Sequence, residues 1–429
     1  MIAEIVSIGD ELLKGGKVNT NASFIAAALG GIGVPVIRIV ACSDDEDQII
    51  TVLSESLSRT DLVLVTGGLG PTRDDRTKKA VMRLLQRSVV ESEEAFHMLA
   101  SWFTARGRML PDTLRDQATI IEGSVLVPNS VGTAAGMIIS CGERFGNSSL
   151  VLMPGVPSEM QEMMRKTVIP FFAGQSTTAI LHTPVKTVGI GESALADLIA
   201  AEEDALPEGT TLAYLPHTAG VDLVVSTVGS ITEVVERDNR RVVDAILSRA
   251  GRFIYATGDT TLEETVGRML AENSLSIAVA ESCTGGLLAS RLTDVPGSSA
   301  YFQQGIISYS NDAKVQLLGV DRMTLEAFGA VSEPVAKEMA RGVLERSGAD
   351  IAVSTTGIAG PSGGSGDKPV GTLCIGIAGK KSDGSIAFRT GTFRMAGTRA
   401  QNKQRFSEAA LREAWTYLQE VVGPVRVAG

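Results

Sequence analysis

The stretch AESCTGGLLASRL, residues 280–292, sets Ser282, Cys283 and Thr284 side by side at a turn carrying Gly285 and Gly286. A serine hydroxyl becomes a useful nucleophile only when a neighbouring base takes its proton. Histidine is the usual base, yet the chain holds only His97, His182 and His217, and none lies beyond residue 217. A Ser-His-Asp triad or a Cys-His pair would need one of them to reach in from another domain. A serine–lysine pair remains, and Lys314, in SYSNDAK, is the attractive partner. A lysine works as a base only where burial or nearby positive charge depresses its pKa. Tyr309, close by in sequence, could relay a proton or orient that lysine. Backbone N–H groups around Thr284 and Gly285, at a helix N-terminus, would be donors to a developing oxyanion. A plainer reading stays open, since a serine or threonine ahead of a helix commonly caps it. Cys283 lacks a histidine too, and buried cysteines are usually inert.

Two further stretches suit an anion. TTGIAGPSGG, residues 355–364, is a glycine-rich turn after an apolar run, and such turns often cradle phosphate through backbone N–H groups. It is no Walker A loop, because no G-K-[ST] closes it, and a plain flexible loop fits the composition equally well. GTRAQNKQRF offers Arg399 and Arg405 near the start of the last helix, a pair suited to phosphate, although surface arginines are common. GIGES, residues 189–193, reads as a tight turn into a helix rather than a phosphate loop. His217 reads as a turn or surface histidine, and His97 as part of an amphipathic helix.

These residues must be positioned by regular elements. IAEIVSIG, VPVIRIVA and DLVLVTGG read as strands alternating with the helices TNASFIAAALGGIG and DEDQIITVLSESLSR. That alternation predicts a parallel α/β sheet with ligands beyond the carboxyl ends of its strands, where TGGLGPTRDDRT and MPGVPSEM lie. From 171 to 257 the order becomes strand, helix, hairpin, helix, strand, a compact α+β unit. Thr261 and Glu264 fit a capping box and mark a boundary. The strands SIAVA, QQGIISYS, ADIAVSTT, VGTLCIGIAG and SIAFRTGTFR follow, again with helices between. The expected fold is α/β in three domains, 1–170, 171–257 and 258–429.

The net charge of −10 and the absence of a lysine- or arginine-rich run speak against a nucleic-acid partner. Four scattered cysteines without a C-x-x-C pair suggest reduced thiols. The N-terminus lacks a basic n-region, and no apolar run approaches the roughly 20 residues of a membrane helix. A cytoplasmic protein without a membrane partner is expected.

Together AESCTGG, GIISYSNDAK with LGV, TTGIAGPSGG with KPVGT and the arginines near the C-terminus resemble the CinA family of competence/damage-inducible proteins. IGDELLKG, TGGLGPTRDDRT and MPGVPSEM resemble that family's N-terminal domain, which is related to molybdopterin-binding domains. The resemblance implies a molybdopterin-binding-like α/β domain, a small KH-like α+β middle domain and a C-terminal α/β amidase domain. It implies deamidation of nicotinamide mononucleotide to nicotinate mononucleotide and ammonia, with Ser282 as nucleophile and Tyr309 and Lys314 handling protons. Thr356, Gly357 and Gly360 would line the nucleotide loop, and Arg399 and Arg405 would bind phosphate. No cofactor is expected for the amidase. At the N-terminal domain the resemblance implies hydrolysis of the ADP-ribose pyrophosphate with a divalent metal. Gly67, Gly68, Gly70 and Thr72 would meet the nucleotide. Asp74 and Asp75 would bind the metal, with Asp10, Glu11 and Glu159 placed to converge on it. Asp74 and Asp75 could instead cap the helix that follows. A homodimer or higher homo-oligomer is expected from the resemblance. Two other readings stand beside this one: a nucleotide- or pterin-binding scaffold in DNA uptake or repair, and an amidase whose N-terminal domain binds without cleaving.

Overall fold

The computed structural model describes residues 1–70, 75–107, 109, 118–175, 178–217 and 220–423. The chain divides into two compact units, 1–182 with 226–238, and 183–225 with 239–429.

In the first unit six strands form one sheet in the order Val36–Cys42, Ala3–Ile8, Leu62–Thr66, Ser149–Met153, Gly136–Ser140, Ser124–Val127. The first four are parallel. Gly136–Ser140 runs antiparallel to both of its neighbours, Ser149–Met153 and Ser124–Val127, two pairings the sequence reading did not include. Only short loops join 124–127, 136–140 and 149–153, and a parallel crossover needs a dozen or more residues. Helices cover both faces. Ile49, Leu53, Ala80 and Val81 pack with Val6, Val63 and Val65 on one side. Ala22, Ile25, Leu29 and Met160 pack with Ala3, Ile5, Leu62 and Leu64 on the other. Successive strand residues thus alternate between two buried faces, which is why these strands read as unbroken apolar runs.

The middle stretch forms a four-stranded sheet in the order Thr210–His217, Gly220–Gly229, Ala179–Thr187, Ile254–Thr257. Val185, Val221, Leu223 and Val225 pack against Leu195, Ile199, Val242 and Ile246 of the helices Glu192–Asp204 and Thr232–Ala250. The strand expected from VKTVGI starts earlier, at Ala179, and stops at Thr187.

The capping box is present: Thr261 Oγ1 accepts from Glu264 N, and Glu264 Oε2 accepts from Thr261 N at 2.7 Å. Beyond it a five-stranded sheet runs Phe302–Ile307, Ile277–Glu281, Ile351–Gly357, Thr372–Lys380, Ile386–Arg394. The first three are parallel and the last two antiparallel. Ile277 and Val279 face Leu288, Leu292, Phe406 and Trp415. Ala278 and Ala280 face Val335, Met339 and Val343 of the helix Glu333–Ser347. All four cysteines are free and buried. No helix among the described residues is long and apolar enough to cross a membrane.

Candidate active site

The strand Ile277–Glu281 lies between the parallel strands Phe302–Ile307 and Ile351–Gly357. All three carboxyl ends therefore open on one side, the usual ligand side of such a sheet. Backbone bonds extend the ladder past the strand ends: Ser282 N donates to Thr355 O at 2.9 Å and Ser308 N to Glu281 O at 2.8 Å. The chain then turns through Gly285 and Gly286, at φ 62° and 95°, into the helix Leu287–Asp294. Both angles lie in the left-handed region that glycine enters at little cost.

Neither Ser282 nor Thr284 caps that helix. The Glu281 carboxylate, 1% exposed, accepts from Gly286 N at 2.9 Å, Leu288 N at 3.1 Å and Ala289 N at 2.8 Å. Thr284 Oγ1 instead pairs with Thr355 Oγ1 at 2.8 Å. With the carboxylate holding the first-turn N–H groups, the serine hydroxyl is free of capping duty. Among the described residues, the N–H groups of Thr284 and Gly285 meet no hydrogen-bond acceptor.

Lys314 Nζ stands 3.1 Å from Ser282 Oγ. Lys314 lies in the first turn of the helix Asn311–Leu318, capped by Ser310, and only 1% of it is exposed. Its amine also reaches Ser308 O at 2.8 Å and Tyr309 O at 3.3 Å. Burial pulls its pKa below the ordinary lysine value. A neutral amine can donate to the two carbonyls and keep its lone pair for the serine proton. Burial pushes the Cys283 thiol up to about 12, which disfavours its thiolate.

Ser282 and Lys314 open on a cavity of about 220 Å³ that Tyr309, Asn311, Thr356, Gly357 and Arg399 also line. Tyr309 orients the lysine through its carbonyl; its phenol, on a side chain 62% exposed, accepts from Arg399 Nη2 at 2.9 Å. Arg399 Nη1 donates to Gly360 O at 2.9 Å. Thr356 Oγ1 donates to Ala330 O at 2.7 Å. A side chain on Gly357 would meet Thr372 O at 2.6 Å and Cys283 Sγ at 3.1 Å, so glycine is required where the strand closes on the turn. Arg405 does not join this group: it donates to Ala396 O and is absent from the cavity lining. Sequence reasoning passed over Glu281, Asn311 and Lys403, whose Nζ stands 3.4 Å from where a Gly285 Cβ would be.

In the first unit the loop after Leu62–Thr66 turns on Gly67 and Gly68, at φ 108° and 65°. A Cβ there would lie 2.2 Å from Ile8 O and 2.3 Å from Thr77 Oγ1. Thr77 Oγ1 donates to Gly67 O at 2.9 Å, which ties the loop to the helix Thr77–Leu85. The cap residue of that helix is Arg76, with no side-chain cap bond. A Cβ on Gly70 would meet Asp75 Oδ2 at 2.7 Å. Thr72 and Asp74 lie outside the described residues. Asp10 accepts from Lys14 Nζ at 2.8 Å, which lowers its pKa. Glu11 is 3.7 Å from Lys17 Nζ, and Glu159 accepts from Asn129 Nδ2 at 2.7 Å. Among the described residues no group of three or more His, Cys, Asp or Glu side chains is arranged to hold a metal ion.

The histidines do other work. His217 Nε2 lies 3.3 Å from Asp222 Oδ1, and that carboxylate raises its pKa. His182 Nδ1 bonds Ser226 Oγ at 2.8 Å. His97 lies in the helix Glu93–Thr104.

Three family models match along the chain: a probable molybdopterin binding domain over residues 4–174, a damage-inducible protein CinA KH domain over 182–256, and the CinA C-terminal domain over 259–418. A CinA-like protein from Chlorobium phaeobacteroides strain DSM 266 is 65% identical over 97% of this chain and 99% of its own length. Another from Chlorobaculum tepidum is 61% identical over 98% of this chain and 100% of its own. The competence/damage inducible protein CihA from Agrobacterium tumefaciens, a crystal structure, is 40% identical over 37% of this chain and 93% of that one, with a TM-score of 0.34. With identity this high along nearly its whole length, the chain belongs to the CinA family.

Proposed function

We propose that the C-terminal domain is a serine–lysine amidase that deamidates nicotinamide mononucleotide. The 3.1 Å approach of a buried lysine amine to the Ser282 hydroxyl carries this reading. Lys314, whose neutral form burial favours by lowering its pKa, takes the Ser282 proton as Oγ bonds to the carboxamide carbon. The charge gathering on the carbonyl oxygen falls to the unpaired N–H groups of Thr284 and Gly285. The C–N bond then breaks and Lys314 returns the proton to the leaving nitrogen, releasing ammonia. Water, giving a proton to the same lysine, opens the acyl-serine to nicotinate mononucleotide and restores the hydroxyl. A rapid acid quench during turnover is expected to trap a nicotinate-mononucleotide acyl ester on the peptide holding Ser282. Turnover with no adduct on that peptide, even in a slow-deacylating variant, would point to direct attack by water.

For the N-terminal domain we propose ADP-ribose hydrolysis at the Gly67–Gly70 loop, supported by a backbone that bends at two left-handed glycines beyond a strand end. A divalent cation belongs to this proposal. The described acidic groups do not by themselves form its cage, since Asp10 and Glu159 are engaged by Lys14 and Asn129.

A further inference from the structure

We propose that Thr355 is a positioning residue of the amidase, holding the oxyanion turn in place from the sheet side of Ser282; this rests on the amidase reading. Thr355 lies near the carboxyl end of the strand Ile351–Gly357, opposite Glu281 of the neighbouring parallel strand. Side chains alternate between the two faces of a strand. Ser354 and Thr356 bond Ala336 O and Ala330 O on one face, at 2.6 and 2.7 Å. Thr355, like Val353, therefore faces the side on which Leu288 of the helix Leu287–Asp294 packs. It holds the turn at two points: its carbonyl accepts from Ser282 N at 2.9 Å, and its hydroxyl pairs with Thr284 Oγ1 at 2.8 Å.

Thr284 needs such an anchor. Its N–H and that of Gly285 meet no acceptor among the described residues, so no hydrogen bond of their own fixes where they point. Gly285 and Gly286 follow at once, at φ 62° and 95°, and glycine backbone is the freest to swing. Glu281 grips the turn only from Gly286 onward, through Gly286 N, Leu288 N and Ala289 N. The Thr284–Thr355 hydroxyl pair instead anchors a donor residue directly. Both side chains are 0% exposed, so solvent does not stand in for a lost partner, and Thr355 acts on the reaction through Thr284 rather than by touching substrate.

The test is a double-mutant cycle on the full chain, read by thermal melting and by ammonia release from nicotinamide mononucleotide. Thr355→Val and Thr284→Val each keep the side chain's shape and strand one buried hydroxyl, whereas the double variant removes both and strands none. The double variant is expected to melt close to the wild type, yet to have kcat lowered about 10- to 100-fold with KM within about twofold, as a small displacement of catalytic groups would cause. Each single variant is expected to lose as much in kcat, and Thr355→Ser, which keeps the hydroxyl, to stay near the wild-type rate. The rise of kcat/KM with pH is expected to keep its midpoint throughout, because Lys314 is untouched. A kcat that recovers along with stability in the double variant would overturn the proposal and leave a purely structural pair. So would a shifted midpoint, which would place Thr355 at the lysine. No ammonia release by the wild-type chain would remove the amidase reading and this proposal with it; wild-type release with undiminished kcat in Thr355→Val would remove the proposal alone.

Discussion

At the scale of single residues, the proposed chemistry requires Lys314 to act in its neutral form. Burial lowers its pKa, and the base form is the deprotonated one, so kcat/KM for deamidation is expected to rise with pH and level off below the ordinary lysine value of 10.5. Lys314→Arg, charged at every usable pH, is expected to lose about 100- to 10,000-fold without showing that rise. A pH profile with no ascending limb would count against the lysine as base. The linkage has the same sign: the folded chain holds this proton less tightly, so stability falls as pH drops from 10.5 through the lowered pKa. The pair was legible because no histidine follows residue 217, which left lysine as the available base. Helical periodicity sets Arg405 apart from Arg399, since six residues carry a side chain well away from its starting face, and Arg405 bonds the Ala396 carbonyl instead of lining the cavity.

At the scale of the element, the turn at 282–286 depends on Glu281. Its carboxylate holds three N–H groups of the following helix, and removing it strands buried donors. Glu281→Ala is expected to destabilise the chain by about 1–3 kcal/mol and to lower kcat more than it raises KM, because the loosened turn misplaces Ser282 and the oxyanion donors. Ser282→Ala is expected to leave thermal stability nearly unchanged, whereas a true N-cap serine would cost about 1 kcal/mol. A melt in which the serine variant falls as far as the glutamate variant would return Ser282 to a capping role. The alternation of apolar strands and amphipathic helices was readable because each strand packs on two faces. The cap was not, since it comes from a strand residue reaching past the turn rather than from the Ser/Thr position that cap rules favour. The short helices Asn311–Leu318 and Arg322–Phe328 also went unanticipated. Their boundaries depend on the caps Ser310 and Asp321 more than on any apolar stripe.

At the scale of the whole molecule, two chemistries are assigned to separate domains and should be separable. A chelator is expected to abolish AMP release from ADP-ribose while leaving ammonia release from nicotinamide mononucleotide intact; Ser282→Ala is expected to do the reverse. Loss of both activities on chelation would contradict a metal-free serine–lysine site. The three-part order of elements was legible in the sequence. Strand order and the antiparallel pairing of 136–140 with its neighbours 124–127 and 149–153 were not, because they are fixed by loop length and long-range pairing rather than by local pattern.

The most direct measurement is ammonia release from nicotinamide mononucleotide by the wild-type chain, Ser282→Ala and Cys283→Ala. Activity lost in the serine variant and kept in the cysteine variant is the predicted result. Activity that survives Ser282→Ala, or no release by the folded wild-type chain, would contradict the assignment of Ser282 as the amidase nucleophile.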